Sequence, residues 1–274
     1  MVPMPCVASP RCLGLPETFG AGQTIRARRR SMSKSRVRPP APAQQNFQSQ
    51  RAELTALPLG QRFERIFRTN LWGAPDSRSG LGSELDATAG LRASLPAFLA
   101  KHQAASLLDI PCGDFGWLST LELSLPYIGG DIVPAIVDAN VRRFGGPGTN
   151  RRFVTLDLTR DPLPHADVVL CRDCLVHLSF SNITRALANV RRSGARYLLT
   201  TTFMDHQDNV DIEDGDWRIL NLQRAPFHLP DPVDVLIEGC REGDGAYADK
   251  ALGLWDVRSL PANSGTDVPP PPHP

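Results

Sequence analysis

The chain has 274 residues and a formal net charge of +1, with 41% hydrophobic and 22% charged residues. These proportions are typical of globular proteins and exclude a fully disordered or collagen-like chain. No stretch approaches the ~20 consecutive apolar residues that a membrane-spanning helix needs. The six cysteines follow no secretory signal and are expected to be free thiols, so we expect a soluble, cytoplasmic protein.

Charge is distributed unevenly along the chain. Residues 1–50 hold eight of the 30 basic residues and one of the 29 acidic residues, so residues 51–274 carry a formal net charge of −6. Because nucleic-acid binding depends largely on Lys and Arg that face phosphates, this acidic body disfavours a nucleic-acid partner. The Arg-rich beginning predicts a solvated tail, and it also has the composition of an organellar transit peptide.

Proline-rich composition marks the predicted boundaries. Seven prolines lie in residues 1–50 and six in the last fourteen residues, and neither end shows apolar periodicity. We therefore expect disordered tails at 1–50 and 261–274, a helical N-terminal cap at 51–105 and a core at 106–260. In the cap, helical spacing predicts one helix that ends near Asn70 and a second that Pro96 kinks or restarts.

From residue 106 onward, short apolar runs alternate with helical patterns, which predicts an α/β fold with a mostly parallel sheet and helices on both faces. The last two strands have no predicted helix between them, so we expect an antiparallel hairpin at the end of the sheet. The predicted strands are 106–110, 127–132, 152–156, 167–171, 197–202, 233–238 and 253–257, and the predicted helices are 115–123, 134–143 and 181–192.

Three successive predicted strands end in an aspartate, and ligands of open α/β sheets bind at these strand ends. Asp131 lies where a carboxylate can accept both hydroxyls of a ribose, and Asp157 is suited to an exocyclic adenine amine. The turn after Asp109 contains glycine and leads into a predicted helix, so its backbone N–H groups are expected to face an anion. Together these features predict a nucleoside-shaped site.

The run Leu-Leu-Asp-Ile-Pro-Cys-Gly at 107–113 resembles the first motif of class I S-adenosylmethionine-dependent methyltransferases, with Asp131 and Asp157 matching that family's ribose and adenine acids. The resemblance covers about 106–260 and implies a Rossmann-like sheet of seven strands with an antiparallel C-terminal hairpin. The chain departs from the family pattern at Pro111 and Phe115, where glycines are usual.

This resemblance implies S-adenosyl-L-methionine as the cofactor and transfer of a methyl group to an oxygen or nitrogen atom of a small-molecule acceptor. Asp173 and His177, near the end of the fourth strand, are the predicted catalytic residues, although His177 could instead be a packed residue at a helix start. No metal is predicted. The predicted cofactor-binding residues are Trp72, Asp109, Pro111, Cys112, Gly113, Asp131, Ile132, Asp157, Leu158 and Arg172.

Two segments are candidates for a lid. One is the stretch at 70–83, which the resemblance places over the cofactor. The other is a long insertion at about 203–232, which holds aromatic and polar residues together and is predicted to cover the acceptor.

Two other functions stay open at the level of the sequence. An NAD(P)-dependent oxidoreductase would use the same sheet and ribose acid, but a G-x-G-x-x-G fingerprint and no terminal hairpin would be expected. A non-catalytic protein would keep the S-adenosylmethionine pocket as a sensor or scaffold.

Overall fold

The computed structural model describes residue 38 and residues 40–262. Most of the predicted tail at 261–274 and most of the predicted tail at 1–50 lie outside the described residues. The chain is helical from residue 42, so the predicted boundary at residue 50 is wrong. Phe47 has 0% of its surface exposed and lies in one apolar cluster with Leu54, Ile66 and Leu71. The first three helices are α1 (Pro42–Ser49), α2 (Arg51–Thr55) and α3 (Leu59–Thr69).

Seven strands form one sheet in the order β3-β2-β1-β4-β5-β7-β6. Strands β1 to β5 run parallel to one another, and β7 runs antiparallel to both β5 and β6. The predicted α/β sheet with its antiparallel end is therefore confirmed. The strands are β1 (Leu107–Asp109), β2 (Tyr127–Asp131), β3 (Arg151–Thr155), β4 (Val168–Cys171), β5 (Tyr197–Phe203), β6 (Asp234–Ile237) and β7 (Lys250–Asp256).

Helices cover both faces of this sheet. Neighbouring strand residues alternate between two apolar clusters, as Leu107 and Leu108 do, because successive side chains of a strand point to opposite faces. Residues of α4 (Ala89–Lys101) and α5 (Pro134–Phe144) belong to one cluster, and residues of α6 (Phe180–Arg192) belong to the other.

Pro96 lies inside α4 without ending it, so the predicted restart of this helix is wrong. The buried residues Leu91, Leu95, Phe98 and Leu99 flank the proline on both sides, and their packing against the sheet holds the helix together. No helix of the described residues is long and apolar enough to cross a bilayer.

The predicted helix at 115–123 is also wrong, because only a 3-10 turn at Leu118–Thr120 forms there. Phe115 has a φ of +55°, which turns the chain away from a helical path. Phe115, Trp117 and Leu118 are nevertheless buried. Their apolar spacing therefore reflects burial in a turn and not a helix.

Candidate functional site

The carboxyl ends of β1, β2 and β4 open into a cavity of about 1050 Å³, a volume that includes its open mouth. We call it the larger cavity, because a smaller one adjoins it. Every predicted cofactor-binding and catalytic residue lines the larger cavity. They are Trp72, Asp109, Pro111, Cys112, Gly113, Asp131, Ile132, Asp157, Leu158, Arg172, Asp173 and His177. Their individual roles stay predictions, but the structure brings all of them together.

The N-terminal region supplies a wall that sequence reasoning mostly missed. Leu59, Phe63 and Phe67 of α3 line the larger cavity, as do Ser79 and Ser83 of the stretch at 70–83. The helical spacing of the α3 residues indicated an apolar face, but nothing in the sequence shows that this face meets a cavity rather than the core.

Asp131 is buried at the end of β2, where two backbone N–H groups donate to its carboxylate. Gly113 N lies 3.1 Å from Oδ2, and Val133 N lies 2.9 Å from Oδ1. A carboxylate can accept about four hydrogen bonds, so each oxygen keeps the capacity to accept one more, which suits two adjacent hydroxyls. Burial raises the pKa of Asp131 to about 6, against the opposing effect of these N–H groups, so the group is ionised at neutral pH.

The turn after β1 does not offer its N–H groups to an anion, so that prediction is wrong. Gly113 N donates to Asp131, Asp114 N donates to Ser79 Oγ at 3.0 Å, and Gly116 N donates to Asp114 Oδ1 at 3.1 Å. No α-helix follows the turn to add a positive N-terminus. Carboxylates and a hydroxyl occupy the place that a phosphate would need.

The backbone conformation at position 113 and the close approach of Ser79 both require a glycine there. Its φ is +51°, and a Cβ at this position would lie 2.2 Å from Ser79 Oγ. Asn140 of α5 donates through Nδ2 to the Gly113 carbonyl oxygen at 2.7 Å. The stretch at 70–83 and α5 therefore hold this turn from both sides.

Asp109 and Asp157 have different surroundings. Tyr127 donates its hydroxyl to Asp109 Oδ2 at 2.7 Å, while burial raises the pKa of Asp109 to about 7. Asp157 Oδ1 accepts from both the backbone N–H and the hydroxyl of Thr159, at 2.8 and 2.7 Å. Its Oδ2 lies 3.5 Å from the exposed Arg160, a weak contact that leaves this oxygen able to accept from a ligand.

Arg172, Asp173, Glu238 and Lys250 form a charge network beside the cavity. Arg172 donates through Nε and Nη2 to the two carboxylate oxygens of Glu238, at 3.1 and 2.7 Å. Lys250 Nζ lies 2.7 Å from Asp173 Oδ2 and 3.4 Å from Glu238 Oε2. Although burial opposes it, the charge of Arg172 and Lys250 holds the pKa of Asp173 well below its usual range. Asp173 is therefore a fixed negative charge and a weak base.

His177 has a defined tautomer. Its Nδ1 lies 2.8 Å from the carbonyl oxygen of Asp216, which can only accept, so Nδ1 carries the proton and Nε2 is the acceptor. The ring stacks on Trp72 with centroids 4.5 Å apart. Burial lowers the pKa of His177 to about 4, so the side chain is neutral at pH 7.

A smaller cavity of about 610 Å³, again including its mouth, is also lined by the catalytic candidates Asp173 and His177. Trp72, Ser79, Asp173 and His177 line both cavities, and we call these four residues the shared wall. The smaller cavity is also lined by residues that the sequence analysis did not assign to a site, among them Glu242, Tyr247 and Lys250.

The insertion at 203–232 was predicted to cover the acceptor, and that role stays a prediction; the insertion contributes to the smaller cavity and not to the larger one. Within it, Phe203 and Trp217 line the smaller cavity. Asp214 accepts from Ser179 N at 2.7 Å at the start of α6. Arg218 donates to the carbonyl oxygens of Leu175 and Leu178, both at 2.8 Å. The insertion thus packs against the helix start beside the site.

The sheet order distinguishes between the folds that share this kind of site. Dinucleotide-binding sheets usually continue the order 3-2-1-4-5 with a parallel sixth strand. Here β7 takes that position, antiparallel to β5, and β6 follows it at the edge. The chain has the class I methyltransferase fold.

Solved methyltransferase structures are similar to this chain. The methyltransferase domain of bacterial CtHen1 matches 63% of this chain and 98% of its own, at 15% identity and a TM-score of 0.48. The N-methyltransferase NodS from Bradyrhizobium japonicum WM9 was solved in complex with S-adenosyl-L-homocysteine. The match covers 52% of this chain and 72% of NodS, at 16% identity and a TM-score of 0.42.

A TehB-like SAM-dependent methyltransferase from Corynebacterium glutamicum matches 39% of this chain at 23% identity and a TM-score of 0.32, and this chain spans 60% of its length. No family model and no curated protein matches the chain. At these identities the likeness concerns the fold alone, and a methyltransferase fold does not by itself assign an activity.

Proposed function

We propose that the protein is an S-adenosylmethionine-dependent methyltransferase that acts on a small molecule. The observation that carries the proposal is the shared wall, whose four residues line both a cavity suited to a nucleoside and a second, smaller cavity, so that the two cavities adjoin. A transferase needs two such compartments because donor and acceptor must meet at a short distance in a fixed orientation. A protein that only senses the cofactor would need the larger one alone.

The residues of the larger cavity fit this cofactor. Asp131 has one acceptor position left on each oxygen for the ribose hydroxyls, and Asp157 Oδ2 is suited to the adenine amine. Ile132 and Leu158 provide apolar surface between these two acids. When bound, S-adenosylmethionine supplies an electrophilic methyl group on a positively charged sulfur.

The charge of the cavity favours this cofactor over NAD(P). Five aspartates line it (Asp109, Asp114, Asp131, Asp157 and Asp173) against two cations. Arg172 binds Glu238, and Arg78 donates to backbone carbonyl oxygens of α3. A positively charged ligand is favoured among these carboxylates, whereas a pyrophosphate would face them without free N–H groups in the turn after β1.

The shared wall supports transfer in two ways. Asp173 provides a fixed negative charge near the place where the two ligands would meet, because Arg172 and Lys250 keep it ionised. His177 Nε2 can accept a proton, while the Asp216 carbonyl fixes the ring. With a pKa of about 4, His177 takes a proton efficiently only from a group that becomes acidic as the methyl group arrives.

The test is calorimetric titration of the full chain with S-adenosylhomocysteine, with NADH and NADPH as controls. We expect S-adenosylhomocysteine alone to bind. Asp131→Asn should weaken this binding at least about tenfold, because hydrogen bonds to a charged acceptor are lost. Asp138→Asn, an exposed aspartate of α5, is the matched control and should bind normally. Binding of a nicotinamide cofactor, or normal binding by Asp131→Asn, would contradict the proposal.

A further inference from the structure

The smaller cavity has an aromatic wall. The rings of Phe203, Trp217 and Tyr247 meet edge to face, with centroids 5.5 to 6.5 Å apart. Trp72 of the shared wall faces the same space. Aromatic faces carry negative charge density, so they attract both apolar groups and organic cations.

These rings already attract one cation of the chain itself. The Arg38 guanidinium carbon lies 5.9 Å from the Phe203 ring centroid and 5.8 Å from that of Tyr247. The charge of Arg38 is balanced by Asp249, whose Oδ2 lies 2.9 Å away. Because Asp249 neutralises it, Arg38 does not repel a second cation that binds near these rings.

Among the charged side chains at the smaller cavity, one carboxylate has no cationic partner among the described residues. Lys250 is paired with Asp173 and lies near Glu238, which in turn binds Arg172. Glu242 lines the cavity and forms no ion pair with any residue that the structure describes. The charged side chains that line this cavity therefore carry a net negative charge, which is that of Glu242.

Glu242 also reaches the part of the cavity that adjoins the shared wall. A Cβ on Gly82 would lie 3.6 Å from Glu242 Oε1, 3.5 Å from Lys250 Nζ and 3.0 Å from Asp173 Oδ2. These three charged atoms thus surround one point, which the absence of a side chain at Gly82 keeps open.

We propose that the smaller cavity selects acceptors that carry a positively charged amino group on an apolar or aromatic body, with Glu242 as the anionic partner of that group. The inference rests on the proposed function, because it assigns the smaller cavity to the acceptor. The aromatic residues Phe203, Trp217 and Tyr247 would hold the apolar body, and the amino group would lie toward Glu242.

Three probes of similar shape and different charge test this selection by calorimetry on the full chain. They are phenethylamine, phenethyl alcohol and phenylacetate. We expect the amine to bind most tightly and phenylacetate most weakly. Glu242→Gln should lower the affinity for the amine about tenfold and leave that for the alcohol unchanged, since only the amine loses a charge partner.

Glu213→Gln is the matched control, because Glu213 is exposed and lines neither cavity. Thermal unfolding of both variants checks that they fold. The inference is overturned if phenylacetate binds most tightly, if no probe binds, or if Glu242→Gln leaves the ratio between amine and alcohol unchanged. The titration with S-adenosylhomocysteine reports separately on the larger cavity, so loss of that binding alone would remove the proposed function without removing selection by Glu242.

Discussion

Hydrogen bonds and nearby charges decide what each polar side chain of the site can do. Asp173 and His177 are neighbours in the shared wall, yet one is a carboxylate between two cations and the other a neutral ring fixed by a carbonyl group. Neither is a strong base. The pair therefore suits an acceptor whose attacking atom has a free electron pair and needs no prior loss of a proton, and a charged amino group bound to Glu242 would not be that atom while it is protonated.

Gly113→Ala tests the close approach of Ser79 to the turn after β1. The new Cβ would meet Ser79 Oγ and would force alanine into a left-handed conformation, so we expect a loss of about 3 kcal/mol in the free energy of unfolding. Gly148→Ala is the matched control, because its φ is +82° and nothing lies within 4 Å of its Cβ position. It should cost only about 1 kcal/mol in urea unfolding. Equal losses for both variants would argue against the close approach.

Asp109→Asn tests the raised pKa of this buried carboxyl. The pKa rises from 3.8 to about 7 on folding, so Asp109 contributes stability that is fully present below 3.8 and is lost as the pH rises through about 7. Asparagine cannot ionise and should escape this loss, while Tyr127 can still donate to its oxygen.

The stability of Asp109→Asn relative to the wild type should therefore increase by about 2–4 kcal/mol between about pH 4 and about pH 8, as measured by urea unfolding. The difference should be level above that range. Parallel pH profiles for the two proteins would mean that Asp109 is ionised at every pH tested.

Among the elements, the insertion after β5 stabilises the backbone beside the site. Asp214 accepts from the backbone N–H of Ser179, the residue before α6, and Gly215 N donates to the His177 carbonyl oxygen at 2.7 Å. Asp216 holds the His177 ring in the same short stretch. The segment thus fixes both the helix start and the orientation of a predicted catalytic residue.

Asp214→Ala should destabilise the protein by about 1–2 kcal/mol, because Ser179 N and Asn182 Nδ2 both lose their acceptor. Glu213→Ala removes the neighbouring acid, whose contact with Arg51 is about half exposed at both ends, and should change stability by less than about 0.5 kcal/mol. Guanidinium unfolding of the two variants measures the difference. A similar small effect for both would show that the cap contributes little.

Over the whole molecule, the charge network joins distant parts of the chain at the edge of the site. Arg172 follows β4, Glu238 follows β6, and Lys250 begins β7. Arg172 Nη2 also donates to the Gly82 carbonyl oxygen at 2.9 Å, which ties the N-terminal region to the sheet. The network therefore positions the wall between the two cavities.

Glu238→Gln should lower the free energy of unfolding by about 3 kcal/mol, because it leaves the two buried cations Arg172 and Lys250 with Asp173 as their shared anion. The side chains of Glu238 and Arg172 are only 2% and 4% exposed. Glu64→Gln makes the same chemical change in an exposed pair with Arg68 on α3 and should cost less than about 0.5 kcal/mol. Equal effects in thermal unfolding would contradict the role assigned to the network.

The position of the strands along the chain and of the acids that follow them could be predicted because both leave local signals. Strands buried on both faces are continuous apolar runs, as in Val168–Cys171. Asp109, Asp131 and Asp157 follow such runs directly, and parallel strands bring their carboxyl ends to one edge. The acids of the larger cavity were therefore predictable, whereas its wall from α3 was not.

Other local patterns misled because different structures produce the same spacing. The apolar residues at 115–123 are buried in a turn, although they recur as they would on a helix. Helix α1 lies in a stretch whose prolines indicate a tail, yet Phe47 anchors it in an apolar cluster. Burial depends on what packs against a side chain, and composition does not contain that information.

The sequence by itself determined the α/β class and the acids of the larger cavity, since these depend on residues close together along the chain. Only the tertiary structure decided that Phe203, Trp217, Glu242 and Lys250 form a second cavity, and that Glu238 neutralises Arg172 behind it. Each of these contacts joins positions far apart in the chain, so none leaves a periodic or local signal. Charge pairing and cavity shape depend on distances that the fold alone sets.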